Sequence, residues 1–160
     1  MGQKVHPLGF RLGITQPYLS NWYASKKDYS KYVLEDHLVR TLLFKKYNRA
    51  KFDKITIFRN IEDHIEIFIY AQKPEILLGT TGARQLQKQI KTSIFQHRKR
   101  NSKLKVILSI FCCKINASSA IADFIVEHLE RRIPYKVVLT LLKKYLKRNK
   151  PLGMKVKISG

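Results

Sequence analysis

KPEILLGTTGARQLQKQI, residues 73–90, is the stretch whose reading decides the fold. Pro74 opens a short apolar turn, Glu75-Ile76-Leu77-Leu78, and a pair of glycines three residues apart follows it. Behind the glycines Leu86, Ile90 and Ile94 recur every four residues, the period of a helix with one apolar face. Gly79-Thr80-Thr81-Gly82 is therefore a tight junction between two helices. Glycines let the backbone turn sharply and approach a neighbouring chain, and the helix behind them presents free N–H groups to an anion. The plain alternative is a helix-loop-helix turn that meets no ligand.

Upstream, Ile55 and Ile57, then Ile65, Ile67 and Ile69, alternate as two strands, with Arg59 to Asp63 as the expected turn. Before them Leu34, Leu38 and Leu42 recur at i+4 beside Val39, Leu43 and Tyr47, which predicts a helix. Downstream, the basic patch His97-Arg98-Lys99-Arg100 precedes a third strand through Leu104, Val106, Leu108 and Ile110. Helix, strand, strand, helix, GxxG, helix, strand is an order that resembles the type II KH domain (α-β-β-α-α-β). In KH modules such a loop clamps about four nucleotides of single-stranded backbone. The expected class is α+β, with the KH unit at residues 29–114.

Residues 1–28 read as an extended arm, since Pro7, Gly9, Gly13 and Pro17 interrupt any period. Lys4, His6 and Arg11 are its candidate phosphate contacts, and Phe10, Trp22 and Tyr23 are expected to staple it down. Past Asn116 a second unit, residues 115–160, begins. Ile121, Ile125 and Leu129 mark one helix, ending at Glu130-Arg131-Arg132, and Pro134 suits the first position of the next. On that second helix Val138, Leu141, Leu142 and Tyr145 share a face. Lys136, Lys143, Lys147 and Lys150 share the opposite one, within about 60° of arc. Gly153 to Gly160 alternates like a strand without a sequential partner, so this C-terminal α-α-β domain is expected to be incomplete.

Charge narrows the partners. Thirty-two Lys and Arg stand against eleven Asp and Glu, a formal net charge of +21. Three stretches hold no acid at all: residues 1–27, 76–122 and 131–160. A solvated surface mixes its signs, so these stretches point to a polyanion, above all nucleic acid, whose neutralised phosphates release counterions. An anionic membrane surface and a histone-like DNA packer are the rivals. No apolar run approaches the ~20 residues of a membrane span. Cys112 and Cys113 are adjacent, without zinc-ligand spacing, and read as reduced thiols. No metal or cofactor is expected.

An RNA-cutting enzyme would need paired carboxylates or a positioned histidine. Asp123, Glu127 and Glu130 share a helix face, but pairing with Arg131 explains them, and His128 points elsewhere. There is no Walker loop, GxSxG elbow or HExxH. The chain is not expected to be an enzyme. A free KH-type RNA-binding or RNA-processing protein is the alternative.

MGQKVHPLGFRLG, residues 1–13, closely resembles the N-terminal signature of the small-subunit ribosomal protein S-three family. ILLGTTG stands where that family carries its KH loop, HLERRIPYK resembles its helix ending in two arginines, and GMKVKISG a strand of its C-terminal domain. The resemblance implies a structural constituent of the small-subunit head that binds rRNA and neighbouring head proteins and lines the path by which mRNA enters. It implies rRNA contacts at Lys4, His6 and Arg11, with Arg98, Lys99 and Arg100 added from the basic patch. It implies mRNA contacts at Arg131, Arg132 and Lys136, which the lysine stripe extends through Lys143 and Lys147. Thr80 and Thr81 depart from the family, which places charged residues there, and the lost charges weaken a salt-sensitive contact. The family also continues beyond the final Ser-Gly. A separate chain completing the sheet, or a longer polypeptide, is therefore expected. Residues 13–23 and 28–36 look more like plastid than bacterial members. Together with the absence of a transit peptide this implies the chloroplast stroma, the alternatives being bacterial cytoplasm or a mitochondrion.

Overall fold

The computed structural model describes residues 2–61, 63–79, 82–98, 103–113, 117–147 and 153–159. The chain divides into two compact units, Met1–Phe111 and Cys112–Gly160. The fold is mixed α+β.

The first unit is built on a four-stranded sheet in the order β1-β2-β3-β4, comprising Ser20–Asn21, Phe52–Ile61, His64–Ala71 and Lys105–Cys112. The isoleucine alternation explains its centre. β2 and β3 pair antiparallel with Ile55 opposite Ile69 and Ile57 opposite Ile67, and these four side chains are buried on one face. Against that face lie α2 (Lys26–Lys46), α3 (Glu75–Leu78) and α4 (Gly82–Arg98). Val39, Leu43, Leu77, Leu86, Ile90 and Ile94 supply their side of the core. The Lys105 N–H donates to the Asp63 carbonyl at 2.7 Å, and Phe111 stacks on Tyr70 at 5.3 Å. Both contacts set β4 beside β3 in the same direction.

Residues 2–23 are not a plain extended arm. Pro7–Arg11 forms a helical turn, α1, and Gly13, at φ +79°, closes the bend behind it. Ser20–Asn21 joins the sheet as β1, parallel to β2. The Arg40 guanidinium fastens it there, donating to the carbonyls of Leu19 (3.0 Å) and Ile55 (2.7 Å) and to Ser20 Oγ (2.9 Å). Burial lowers the Arg40 pKa, and the nearby Asp36 charge works against that shift. Of the three expected staples only Trp22 serves, donating its indole N–H to Asp36 Oδ2 at 2.8 Å, whereas Phe10 and Tyr23 are exposed.

Two further expectations change. The α2 face turned to the core is Tyr32, Glu35, Asp36, Val39 and Leu43, while Leu34 is exposed. Arg59, expected in a turn, lies inside β2 and is buried. The two changes have one cause. Arg59 Nη1 meets Glu35 Oε2 and its Nη2 meets Asp36 Oδ1, each at 2.6 Å. Arg98, at the end of α4, adds its Nε to Glu35 Oε1 at 2.5 Å and its Nη1 to Asp63 Oδ1 at 2.9 Å. The carboxylates can turn inward because two guanidiniums meet them there.

The second unit is a helical hairpin of α5 (Ser118–Glu130) and α6 (Tyr135–Leu146). Ile125, Val138, Leu142 and Leu146 form its core, with Val156 packed against them. Residues 153–159 form no strand. Alternation gives a strand only where a neighbouring strand takes its hydrogen bonds, and every described strand begins in the first unit.

Removing Arg59 leaves two buried carboxylates short of a partner, so Arg59→Ala should cost about 3–5 kcal/mol in a urea titration at neutral pH. Burial alone would raise the Glu35 pKa, but hydrogen bonds from Arg98 and Arg59 outweigh it and hold it below 4.5. A lowered pKa contributes stability above the unfolded value and loses it as pH falls through the folded one. Stability should therefore fall as pH drops below about 4.5, the ordinary value. In Glu35→Gln that acid limb should be shallower.

Candidate nucleic-acid interface

The GxxG junction is tight because of packing. Gly79 donates its N–H to the Glu75 carbonyl at 3.0 Å, ending α3, and Gly82 donates to the Gly79 carbonyl at 2.7 Å. A Cβ on Gly82 would overlap the Leu77 carbonyl oxygen and come within 3.0 Å of its carbon. A Cβ on Gly79 would meet only the Glu75 oxygen, at 3.9 Å. Gly82 is thus the glycine the turn requires. Thr80 and Thr81 lie outside the described residues. So do Lys99, Arg100 and Lys150, so their expected sites receive no geometry.

α4 runs away from this junction with its N-terminus at Gly82. Its apolar side, Leu86, Ile90 and Ile94, is fully buried, and on the far side stand Arg84 and Lys88, exposed, and Lys91, half-buried. These three basic residues were not singled out from the sequence. The signal was there: they sit at i, i+4 and i+7 directly behind a GxxG, on the side opposite the apolar stripe. Cations beside free N–H groups are the chemistry that holds phosphate.

Arg98 is a correction. Expected among the phosphate contacts, it faces inward onto Glu35 and Asp63 with its side chain 13% exposed. The hydrogen bond to Glu35 raises its pKa, burial works against that, and the Glu35 and Asp63 charges support it. A guanidinium forked onto a buried carboxylate has no geometry left for a phosphate. Lys4, His6 and Arg11 are exposed, and Arg11 Nη1 also donates to the Pro7 carbonyl at 2.8 Å.

In the second unit the double arginine ends α5 in a Schellman motif. Arg132 N–H donates to the Leu129 carbonyl at 2.8 Å and Ile133 N–H to the His128 carbonyl at 3.2 Å. Glycine ordinarily takes the left-handed position of this motif. Here Arg132 occupies it, at φ +58°. Arg131 is exposed and pairs with Glu127 at 2.8 Å. Lys136, Lys143 and Lys147 are exposed, on the side of α6 away from Val138, Leu142 and Leu146. His128 Nδ1 donates to the Phe124 carbonyl at 2.8 Å, and Glu127 is held by Arg131, so neither is set up for acid–base work on the other. The junction with α4, and the arginine turn with the lysine side of α6, are two basic surfaces, one in each unit.

No family model matches the chain. Curated relatives do. Over the whole chain it is 37% identical to "small ribosomal subunit protein uS3c" of Tupiella akineta, covering 77% of that protein. It is 39% identical to the uS3c of Thalassiosira pseudonana, covering 74%. It is also 35% identical to the bacterial "small ribosomal subunit protein uS3" of Fervidobacterium nodosum, again covering 74%.

The two glycines should separate under substitution. Gly82→Ala should lower the unfolding midpoint and weaken single-stranded RNA binding, because α3 and α4 must part to admit the methyl. Gly79→Ala should leave both nearly unchanged. Circular dichroism melts and a fluorescent-oligonucleotide titration read the difference, and equal effects would overturn the packing account.

Proposed function

The chain belongs to the small ribosomal subunit protein uS3 family, and from that premise we propose that it binds small-subunit rRNA and lines the path by which mRNA enters. It is a ribosomal protein, a structural constituent of the small subunit. Its chemistry is binding and positioning, not turnover.

In this reading α2, β2, β3, α3, α4 and β4 make a type II KH domain over about residues 29–114. The element order and the glycine-forced turn support it. Its contact surface is the N-terminus of α4 with Arg84, Lys88 and Lys91. Without charged residues at Thr80 and Thr81 the loop depends on backbone N–H groups and these three cations. Lys4, His6 and Arg11 extend the rRNA contact from the N-terminal segment. Each phosphate neutralised adds about 0.7 to the logarithmic salt slope on a single strand. Arg84→Ala and Lys88→Ala together should therefore make that slope shallower by about 1.4.

The mRNA role falls to Arg131, Arg132, Lys136, Lys143 and Lys147. The observation that carries it is the backbone of Arg132. A side chain in the left-handed region costs about 1–2 kcal/mol that glycine avoids. The arginine is there for its guanidinium, which the turn projects beside Arg131 at the end of a helix. Nothing in this arrangement uses a nucleotide, so unwinding is passive: the arginines hold phosphates of the opened strands while translation pulls.

Other proteins of the subunit head are its neighbours in this assignment. A groove of about 460 Å³ between α5 and residues 154–159 has room for a further chain segment, from the same polypeptide or another. The relatives named uS3c, with the plastid-like segments, support a place in the plastid ribosome.

Arg132→Gly should fold as well as the parent, within about 1 kcal/mol, because it relieves the left-handed backbone. Ribosomes carrying Arg131→Ala with Arg132→Gly should slow at stable mRNA hairpins and move normally on unstructured messages. Equal slowing on both would overturn the mRNA reading. Absence of the protein from purified small subunits would overturn the whole.

A further inference from the structure

β4 is last in the sheet order, and among the described residues no strand lies beyond it. Its sequence is at odds with that place. Val106 to Cys113, VILSIFCC, carries no charge. Such a run reads as a strand covered on both faces, whereas exposed edges are ordinarily broken by charge, proline or bulges. Burial follows the position and not the sequence. Val106 is buried, but Leu108 and Ile110, on the same side, are only half-covered. On the other side Ile107 and Phe111 are 37% and 44% exposed. Phe111 there continues an aromatic strip, stacked on Phe68 and Tyr70 with interplanar angles of 12° and 21°.

The outer edge of β4 can be read residue by residue. Lys105 directs its N–H to the carbonyl of Asp63, the residue that leads into β3. The N–H and C=O of one strand residue leave on the same side, and the side alternates along the strand. Val106, Leu108 and Ile110 therefore direct theirs outward. The Gln87 side chain, from α4, donates to the Val106 carbonyl and caps the first of them. Leu108 and Ile110 address whatever lies outside.

We propose that β4 accepts an added strand from a different protein of the assembly, paired with the backbone of Leu108 and Ile110. Strand addition supplies the alternating N–H and C=O groups that this edge requires, and its side chains cover both faces. A nucleic acid can stack on Phe111 but offers no such ladder. A second copy of this chain is disfavoured by charge, since each carries +21 and residues 76–122 hold nine basic residues and no acid. The occupant is an extended, alternately apolar segment of an unlike chain. Carboxylates at its end would meet Lys103 and Lys105, both exposed.

The proposal rests on the reading that the chain works inside the small subunit, and the test separates the two. Hydrogen exchange over residues 105–112 is compared between intact small subunits and the purified chain. In the same subunits p-benzoylphenylalanine in place of Ser109, on the open face, is cross-linked by light. Expected are exchange at Leu108 and Ile110 slowed by at least about tenfold in the subunit and a cross-link to an unlike polypeptide. Unchanged exchange, or a cross-link to rRNA or to a second copy, would overturn the added strand and leave the ribosomal assignment standing. Failure of the protein to enter subunits, with the purified chain folded, would instead strike the assignment.

Discussion

Glu35 and Asp36 are consecutive carboxylates turned into the core of the first unit, and the arrangement around them depends on their neutralisation. Either one alone would be costly, since an ion moved from water to a protein interior loses several kcal/mol even after relaxation. Arg59 answers both and Arg98 answers Glu35 a second time, so two acids face two bases at hydrogen-bonding distance. The Tyr32 ring lies beneath the pair, with the Arg59 guanidinium carbon 4.8 Å from its centroid and that of Arg98 at 5.9 Å. Through Trp22 the cluster reaches the N-terminal segment. One ionic centre thus joins α2, β2, the end of α4 and the chain leaving β1.

Geometry follows from that junction. In β2 the side chains of Ile55, Ile57 and Arg59 share the inner face. A one-residue slip would move all three outward and strand the carboxylates, so the charge pair reinforces the register that the isoleucines favour. Holding Arg98 fixes the far end of α4. Packing of Gly82 against Leu77 fixes the near end. With both ends held, the basic side of that helix has one orientation relative to the sheet.

The sequence reveals interactions that repeat locally and hides those that do not. Isoleucine alternation gave the two central strands, and the four-residue period gave α4 and its glycine junction. The burial of Glu35, Asp36 and Arg59 is not legible because nothing near them in sequence signals it; Arg59 lies 24 residues from Glu35, and Arg98 lies 63. Acids on a helix ordinarily face water. The α2 leucines were therefore credited with a face they only flank. Alternation at residues 153–159 misled in the opposite way, because the pattern is necessary for a strand but a neighbouring strand decides it. Within the candidate interface, exposed cations such as Lys136 and Lys143 were legible from their spacing. Whether a particular arginine faces outward was not, and Arg98 and Arg84, on the same helix, went opposite ways.

The acids stand away from the basic helix sides. Three of the eleven serve the ionic centre, and Glu127 is taken by Arg131. Neither α4 nor α6 has an acid of its own, so the cations on their exposed sides stand undiluted along each helix. The folded chain thus carries two local costs: an arginine where the backbone favours glycine, and an uncharged strand at the end of the sheet of described strands. Both offer something to the outside, a guanidinium in the first case and a backbone edge in the second. A chain optimised to stand alone would have replaced each by a single substitution, glycine at Arg132 or lysine along β4. Together with +21 of charge they are costs that a chain held in an assembly can carry, because a neighbour can recover both.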